Sequence, residues 1–271
     1  NHREPTADML DGLDVLLIDL QDVGSRYYTF VWTMYLCMRA CERCGIAVVV
    51  LDRPNPINGL TIEGPVLDPN HRSFVGMHPI PIRHGRTIGE LAQQFRKETF
   101  PNCELSVLPL KNWDRAMWFD QTGLPWVMPS PNMPTLDSAT VYPGMCLFEG
   151  TNISEGRGTT RPFEIFGAPF IDAEKLCAEL KSLKLPGVFF RENYFQPTFQ
   201  KFAGQLCGGA QIHVIDRDEF RPFQTGVEII REIGRLHPDQ FAWKQPPYEY
   251  EREKLPIEIL LGGPVNQFFD K

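Results

Sequence analysis

The 271-residue chain has no apolar stretch near the roughly 20 residues that a membrane-spanning helix needs. It also has no basic block, since 27 Lys and Arg stand against 34 Asp and Glu, which gives a formal net charge of −7. A nucleic-acid partner is therefore not expected, because binding to phosphate backbones relies on clustered positive charge. With 42% hydrophobic residues, the chain should bury a substantial core and fold as a globular protein.

Several catalytic and cofactor motifs are also missing. The sequence contains neither G-x-G-x-x-G nor a P-loop, so a nucleotide site is not expected. It has no G-x-S-x-G elbow, and its six histidines show no H-E-x-x-H spacing, which removes the main support for serine hydrolases and zinc proteases. Cys37, Cys41 and Cys44 share one predicted helix face, but no fourth zinc ligand follows nearby. The seven cysteines are therefore predicted to be buried thiols, with a structural metal as the alternative. We therefore predict no metal and no cofactor.

The first third of the chain has the pattern of a β-α-β unit. Apolar runs at 14–19 and 47–52 read as strands buried on both faces of a parallel sheet. Between them, apolar residues recur at helical spacing from Val31 to Cys41, and Gly45 stands where a helix would end. A capping-box pattern at Thr87 begins another helix, and 104–109 supplies a further strand.

The rest of the chain changes character. Regular periodicity fails over 111–167, yet this stretch is rich in aromatic residues, which favours an ordered binding loop over disorder. Beyond it, helices are predicted at 172–183 and 224–236, and strands at 187–191 and 211–216. The parallel sheet should thus be followed by a smaller α+β domain.

Polar side chains follow both of the first two strands. In parallel α/β sheets, ligands bind at the carboxyl ends of strands, which makes these residues candidates by position. Alternatively, Asp19 and Asp52 only cap helices or pair with arginines. The candidates are Asp19, Asp22, Arg26, Asp52, Arg53 and Asn55.

The densest polar segment is 149–164, which holds three carboxylates, two arginines and an amide. Paired carboxylates, sugar-binding amides and nearby aromatic faces suit carbohydrate chemistry, and arginines suit a substrate that carries its own carboxylate. The alternative is a surface loop held together by Glu–Arg pairs.

Four motifs in order resemble the NamZ-type family of exo-β-N-acetylmuramidases, formerly catalogued as a domain of unknown function. They are 18–29 (IDLQDVGSRYYT), 52–56 (DRPNP), 130–134 (SPNMP) and the stretch from 149–152 (EGTN) through 157–161 (RGTTR). The resemblance implies a Rossmann-like parallel-sheet domain over 1–140, a smaller α+β domain over 141–271 and an active site in the cleft between them. It also implies peptidoglycan-derived muramyl saccharides as substrates, without nucleotide or metal. A non-catalytic cell-wall sugar-binding protein is the alternative.

The same resemblance indicates the site residues. Glu149 is the best candidate for a general acid, and Arg157 and Arg161 would share one face if their segment were helical, so that one of them holds the substrate's lactyl carboxylate. The predicted catalytic residues are Glu149 and Asp22, and the predicted substrate-binding residues are Arg26, Tyr28, Asn132, Asn152, Glu155, Arg157 and Arg161.

Members of the family usually have a Ser-Pro-Glu-His-Gly motif before the first strand found here, and this chain has none. We therefore expect the chain to lack an N-terminal segment whose motif Glu is a candidate for the second catalytic group. We also expect the parent protein to be periplasmic or secreted.

Overall fold

The computed structural model describes residues 2–269. Contacts divide the chain into two compact units, Asn1–Ile62 with His84–Pro129, and Glu63–Arg83 with Ser130–Lys271. No helix in the described part of the chain is long and apolar enough to cross a membrane.

The strands are β1 Val15–Ile18, β2 Ala47–Leu51, β3 Glu63–Val66, β4 Pro81–Arg83, β5 Leu105–Leu108, β6 Ile165–Ala168, β7 Val188–Phe195 and β8 Cys207–Val214. The α-helices are α1 Ala7–Leu10, α2 Phe30–Cys44, α3 Ile88–Glu98, α4 Leu136–Met145, α5 Ala173–Ser182, α6 Pro222–Leu236 and α7 Pro256–Leu261.

The first unit contains a parallel sheet in the order β1-β2-β5. Helix α2 ends at Gly45, whose left-handed φ of 70° lets its N–H bond to the Cys41 carbonyl. Helix α3 begins with the predicted capping box, in which Thr87 and Glu90 each accept from the other's backbone N–H. The predicted β-α-β unit and parallel sheet are confirmed.

The strands of this sheet are not buried on both faces, contrary to the prediction. Val48 and Val50 are fully buried, but Leu17 and Leu108 on the opposite face are 63% and 62% exposed. The reason is that α2 and α3 contact each other and so cover the same face. An apolar run does not indicate whether one face or both faces of a strand will be covered. Among the described residues, the second face of this sheet is exposed.

The second unit is antiparallel. Strands β3 and β4 form a hairpin-like pair, and β8 lies between β6 and β7 in a three-stranded sheet. Helices α5 and α6 match the predicted helices, and β7 and β8 match the predicted strands. The two compact units meet at 129/130, and residues 63–83 belong to the second, longer unit. The sequence instead predicted two domains that divide at 140. That division stays a sequence prediction.

The segment 111–167 is ordered but not a continuous loop, because it contains α4. Every residue of this helix from Ser138 to Met145 is buried. A helix buried all round shows no amphipathic period, which explains why the sequence pattern missed it. The cysteines form no disulfide, and five of the seven are buried, whereas Cys37 is half-buried and Cys44 exposed.

Candidate active site

A pocket of about 680 Å³ lies in the second unit, where four segments of the chain meet. The turn that follows α4 carries Glu149, the glycine-rich segment 151–164 carries Glu155 and Arg157, and the β7–β8 loop carries Lys201. A late segment without helix or strand carries Lys244 and Tyr248. The lining residues are Glu149, Thr151, Asn152, Glu155, Arg157, Gln200, Lys201, Phe202, Lys244, Pro247, Tyr248 and Glu249.

Both carboxylate oxygens of Glu149 are bound. Arg157 donates to Oε1 from Nη2 at 2.6 Å and from Nε at 3.2 Å, and the Tyr248 hydroxyl donates to Oε2 at 2.7 Å. Burial and the adjacent Glu149 charge raise the pKa of Tyr248, so its hydroxyl remains a donor at neutral pH. Although burial opposes the charge on Arg157, the Glu149 carboxylate raises the pKa of its guanidinium. These contacts place a protein donor on each oxygen of Glu149 and hold the carboxylate in one orientation.

A second carboxylate, Glu155, is buried beside the first pair. It accepts from Lys201 Nζ at 2.9 Å and lies 3.5 Å from Arg157 Nε. The Lys201 ammonium also donates to the carbonyls of Phe148 and Ile153, at 2.7 and 2.8 Å, so all three of its protons are used. Arg157 thus lies between two carboxylates, and Lys201 compensates the deeper one.

Glycine is required where the pocket segment meets the β7–β8 loop. Gly158 has a φ of 81°, and a Cβ on it would lie 2.5 Å from the Phe199 carbonyl oxygen. Thr198 binds the Gly158 carbonyl with both its N–H and its hydroxyl at 2.9 Å. Next to these contacts, Gln200 and Phe202 adopt left-handed φ values of 68° and 59° on either side of Lys201. Such strained positions persist where the surrounding contacts hold them, and they are common in functional sites.

Asn152 lines the pocket, but its amide is engaged within the protein. Its Nδ2 donates to the Gln240 carbonyl at 2.7 Å, and its Oδ1 accepts from the Ala242 N–H at 3.0 Å. The side chain therefore fastens the late segment to the pocket rather than pointing both polar atoms at a ligand.

Arg161 does not join Arg157. Residues 157–161 form turns rather than a helix, so the conditional prediction of a shared face does not hold. The backbone turns there because Gly156 and Gly158 both adopt left-handed φ values. Arg161 instead pairs with Glu164 at 2.8 Å and lines a separate pocket of about 250 Å³. Asn132 is half-buried in the second unit and is not among the residues that line either pocket.

The other predicted residues belong to the first unit. Asp22 is buried, accepts from the Gly24 N–H at 2.7 Å and lies 3.1 Å from His84 Nε2. Arg26 is fully buried, and its burial lowers the pKa of the guanidinium to about 10. Tyr28 is buried two residues further on. All three follow β1, at the carboxyl end of the parallel sheet, as the sequence predicted.

For Asp19 and Asp52 the structural alternative is the one observed. Asp19 forms an ion pair with Arg53, whose Nη2 lies 2.9 Å from Asp19 Oδ2. Asp52 accepts from the Thr87 hydroxyl and the Gly89 N–H and so holds the start of α3. Neither carboxylate needs a ligand to explain its position.

Three pocket residues were missed by sequence reasoning: Lys201, Lys244 and Tyr248. Tyr248 is 99 positions from Glu149, and Lys201 is 46 positions from Glu155. No spacing rule connects residues so far apart. The only local signal is the Pro246-Pro247 pair before Tyr248, which marks an irregular segment without indicating its partner.

The chain combines a parallel α/β unit with a second unit whose pocket contains paired carboxylates. This class of architecture is well suited to glycoside hydrolysis. The chain belongs to the exo-β-N-acetylmuramidase NamZ family. The family's N-terminal domain model matches residues 1–137, and its C-terminal domain model matches residues 140–267. The family resemblance drawn from the sequence motifs is thereby confirmed.

Individual relatives agree with this assignment. The chain is 54% identical over 241 residues to the peptidoglycan β-N-acetylmuramidase NamZ of Bacillus subtilis (strain 168). The aligned region covers 89% of this chain and 58% of that protein. The chain thus spans little more than half of that relative. The crystal structure of a DUF1343 family protein of Bacteroides fragilis has a TM-score of 0.90 at 35% identity, covering 98% of this chain and 69% of that one. A second DUF1343 structure from the same organism has a TM-score of 0.73 at 28% identity, with 97% and 68% covered.

Proposed function

We propose that this chain belongs to a glycoside hydrolase that removes non-reducing terminal N-acetylmuramic acid from peptidoglycan fragments. The proposal is supported by the name of the family and by the 54% identity to a peptidoglycan β-N-acetylmuramidase. The observation that carries it is the position of Glu149, a carboxylate held on both oxygens at the wall of a pocket large enough for a sugar.

The contacts of Glu149 define the chemistry that it can perform. Both oxygens of Glu149 accept hydrogen bonds from protein donors, and the role of general acid that the sequence assigned to it stays a prediction. In this arrangement Glu149 can act as the base that activates water, as the nucleophile, or as the group that stabilises an oxocarbenium-like transition state. Water supplies the hydroxyl that ends on the anomeric carbon and the proton that ends on the leaving oxygen. Asp22 remains the predicted second catalytic residue.

The test is chromophore release from a chromogenic β-N-acetylmuramide by the full-length protein. Glu149→Gln keeps the shape and an acceptor for Tyr248 but removes the charge, so we expect kcat to fall at least about 100-fold, as for the loss of an acid–base group. Glu174→Gln, on the exposed side of α5, is the matched control and should retain activity. Normal turnover by Glu149→Gln would rule out the proposed role.

The alternative function has its own signature in the same experiment. If the wild-type protein binds N-acetylmuramic acid but releases no chromophore, it is a sugar-binding protein without catalysis. We further propose that the parent protein acts in the periplasm or outside the cell, since peptidoglycan lies there. Cell fractionation followed by immunodetection would locate it, and recovery in the cytoplasm alone would contradict this proposal.

A further inference from the structure

Three cations line the pocket in the second unit, and two of them are already paired. Arg157 lies between Glu149 and Glu155, and Lys201 binds Glu155 and two carbonyls. The Lys244 ammonium, by contrast, forms no ion pair among residues 2–269. Within the described chain, Lys244 is therefore the pocket cation whose charge is uncompensated.

Lys244 is also anchored close to Glu149. Its backbone N–H donates to the Gly150 carbonyl at 2.9 Å, and the neighbouring Trp243 forms a β-bridge with Thr151. The ammonium lies 5.5 Å from the centroid of the Tyr248 ring, while the hydroxyl of that ring binds Glu149. One tyrosine thus lies between the uncompensated cation and the candidate catalytic carboxylate.

We propose that Lys244 binds the carboxylate of the substrate and so determines the preference for an acidic sugar. This inference rests on the proposed function, because muramic acid differs from N-acetylglucosamine by a lactyl ether that bears a carboxylate. A substrate carboxylate at Arg157 would be the third carboxylate around one guanidinium, whose charge Glu149 and Glu155 already offset. Lys244 forms no such ion pair within the described residues.

The location of the other predicted cation supports the same assignment. Arg161 pairs with Glu164 and lines a different pocket, so it does not contribute a positive charge beside Glu149. The stacking of Lys244 on the Tyr248 ring restrains the ammonium while leaving its protons available, because a cation–π contact uses the face of the ring and not a hydrogen-bond acceptor.

The test compares N-acetylmuramic acid with its methyl ester, which is the same sugar without the charge. Binding of both ligands to the full-length protein is measured by titration calorimetry for wild type, Lys244→Met and Lys244→Arg. We expect wild type to prefer the acid by about tenfold, the size of a charge-assisted hydrogen bond at a partly exposed site. Lys244→Met should lose this preference, and Lys244→Arg should keep most of it.

Lys175→Met provides the matched control, because it removes one lysine charge from the exposed surface of α5 and should retain the preference. With the chromogenic muramide, Lys244→Met should raise KM about tenfold and change kcat little. An unchanged preference in Lys244→Met, equal weakening of acid and ester, or a wild type that does not distinguish the two ligands would overturn the proposal. Binding that behaves as expected without any chromophore release would contradict the hydrolase function and leave the role of Lys244 supported.

Discussion

The Tyr248 hydroxyl donates a 2.7 Å hydrogen bond to Glu149 Oε2, across 99 positions of sequence. Arg157 holds the other oxygen of the same carboxylate. Burial raises the pKa of Tyr248, so the phenol keeps its proton and remains the hydrogen-bond donor to Glu149. This pairing fixes the orientation of Glu149, which makes Tyr248 a positioning residue in the proposed reaction.

Removal of that hydroxyl is the first test of this arrangement. Tyr248→Phe retains the ring under Lys244 but leaves Glu149 Oε2 without its donor, so kcat on the chromogenic muramide should fall about tenfold while KM changes less. Tyr194→Phe removes a hydroxyl from an exposed tyrosine on β7 and should behave as wild type. A Tyr248→Phe enzyme with a lowered melting temperature but normal kcat would show that the contact serves stability only.

Local features of the fold were predictable because each depends on neighbours in sequence. The end of α2 at Gly45 and the start of α3 at Thr87 follow from backbone conformation and capping within a few residues. The same holds for the Arg157–Glu149 pair, which the glycine-rich segment brings together over eight positions. The alternative of Glu–Arg pairs within this segment therefore describes its contacts correctly, even though the segment also lines a pocket.

Features that depend on distant parts of the chain were not predictable. Helix α4 escaped detection because burial on all sides removes the periodic signal, and the exposure of Leu17 depends on where α2 and α3 pack. Lys201 and Tyr248 entered no sequence hypothesis, since nothing in their local surroundings distinguishes them from other loop residues. The expected shared face of Arg157 and Arg161 does not form, because a spacing of four residues implies one face only in a helix and 157–161 is not helical.

The close approach of α4 to α6 gives the second prediction. A Cβ on Gly144 would lie 1.8 Å from the Pro222 carbonyl oxygen, and one on Gly226 would lie 2.5 Å from the Gly144 carbonyl oxygen. Gly144→Ala and Gly226→Ala should therefore each lower the free energy of unfolding by about 3 kcal/mol, the upper range for overpacking, as measured by chemical denaturation.

Gly234, later in α6, is the control for these variants. A Cβ there would meet the Phe241 ring at an ordinary van der Waals distance of 3.7 Å. Gly234→Ala should therefore raise the free energy of unfolding by about 0.5 to 1 kcal/mol, because alanine is the better helix former. Equal destabilisation by all three substitutions would contradict the view that helix contact, and not helix propensity, requires glycine at 144 and 226.

Glu63 gives the last prediction, because its carboxyl is buried at the start of α6. Its Oε1 accepts the Gln224 N–H at 2.8 Å, but its Oε2 has no hydrogen-bond partner among the described residues. Burial raises the pKa of Glu63 despite the backbone hydrogen bonds and the nearby Arg83. A carboxyl whose pKa is higher in the folded than in the unfolded state lowers stability when it ionises, so its cost is present at neutral pH and fades as the pH falls toward the unfolded value.

Glu63→Gln keeps an acceptor for α6 and removes the titration. The melting temperature of the variant relative to wild type should therefore be higher at pH 7 than at pH 4.5, measured by thermal unfolding in a constant ionic strength. A Glu63→Gln protein that gains stability on acidification, relative to wild type, would mean that the hydrogen bonds to the start of α6 and the charge of Arg83 outweigh burial, and that Glu63 is a stabilising anionic cap.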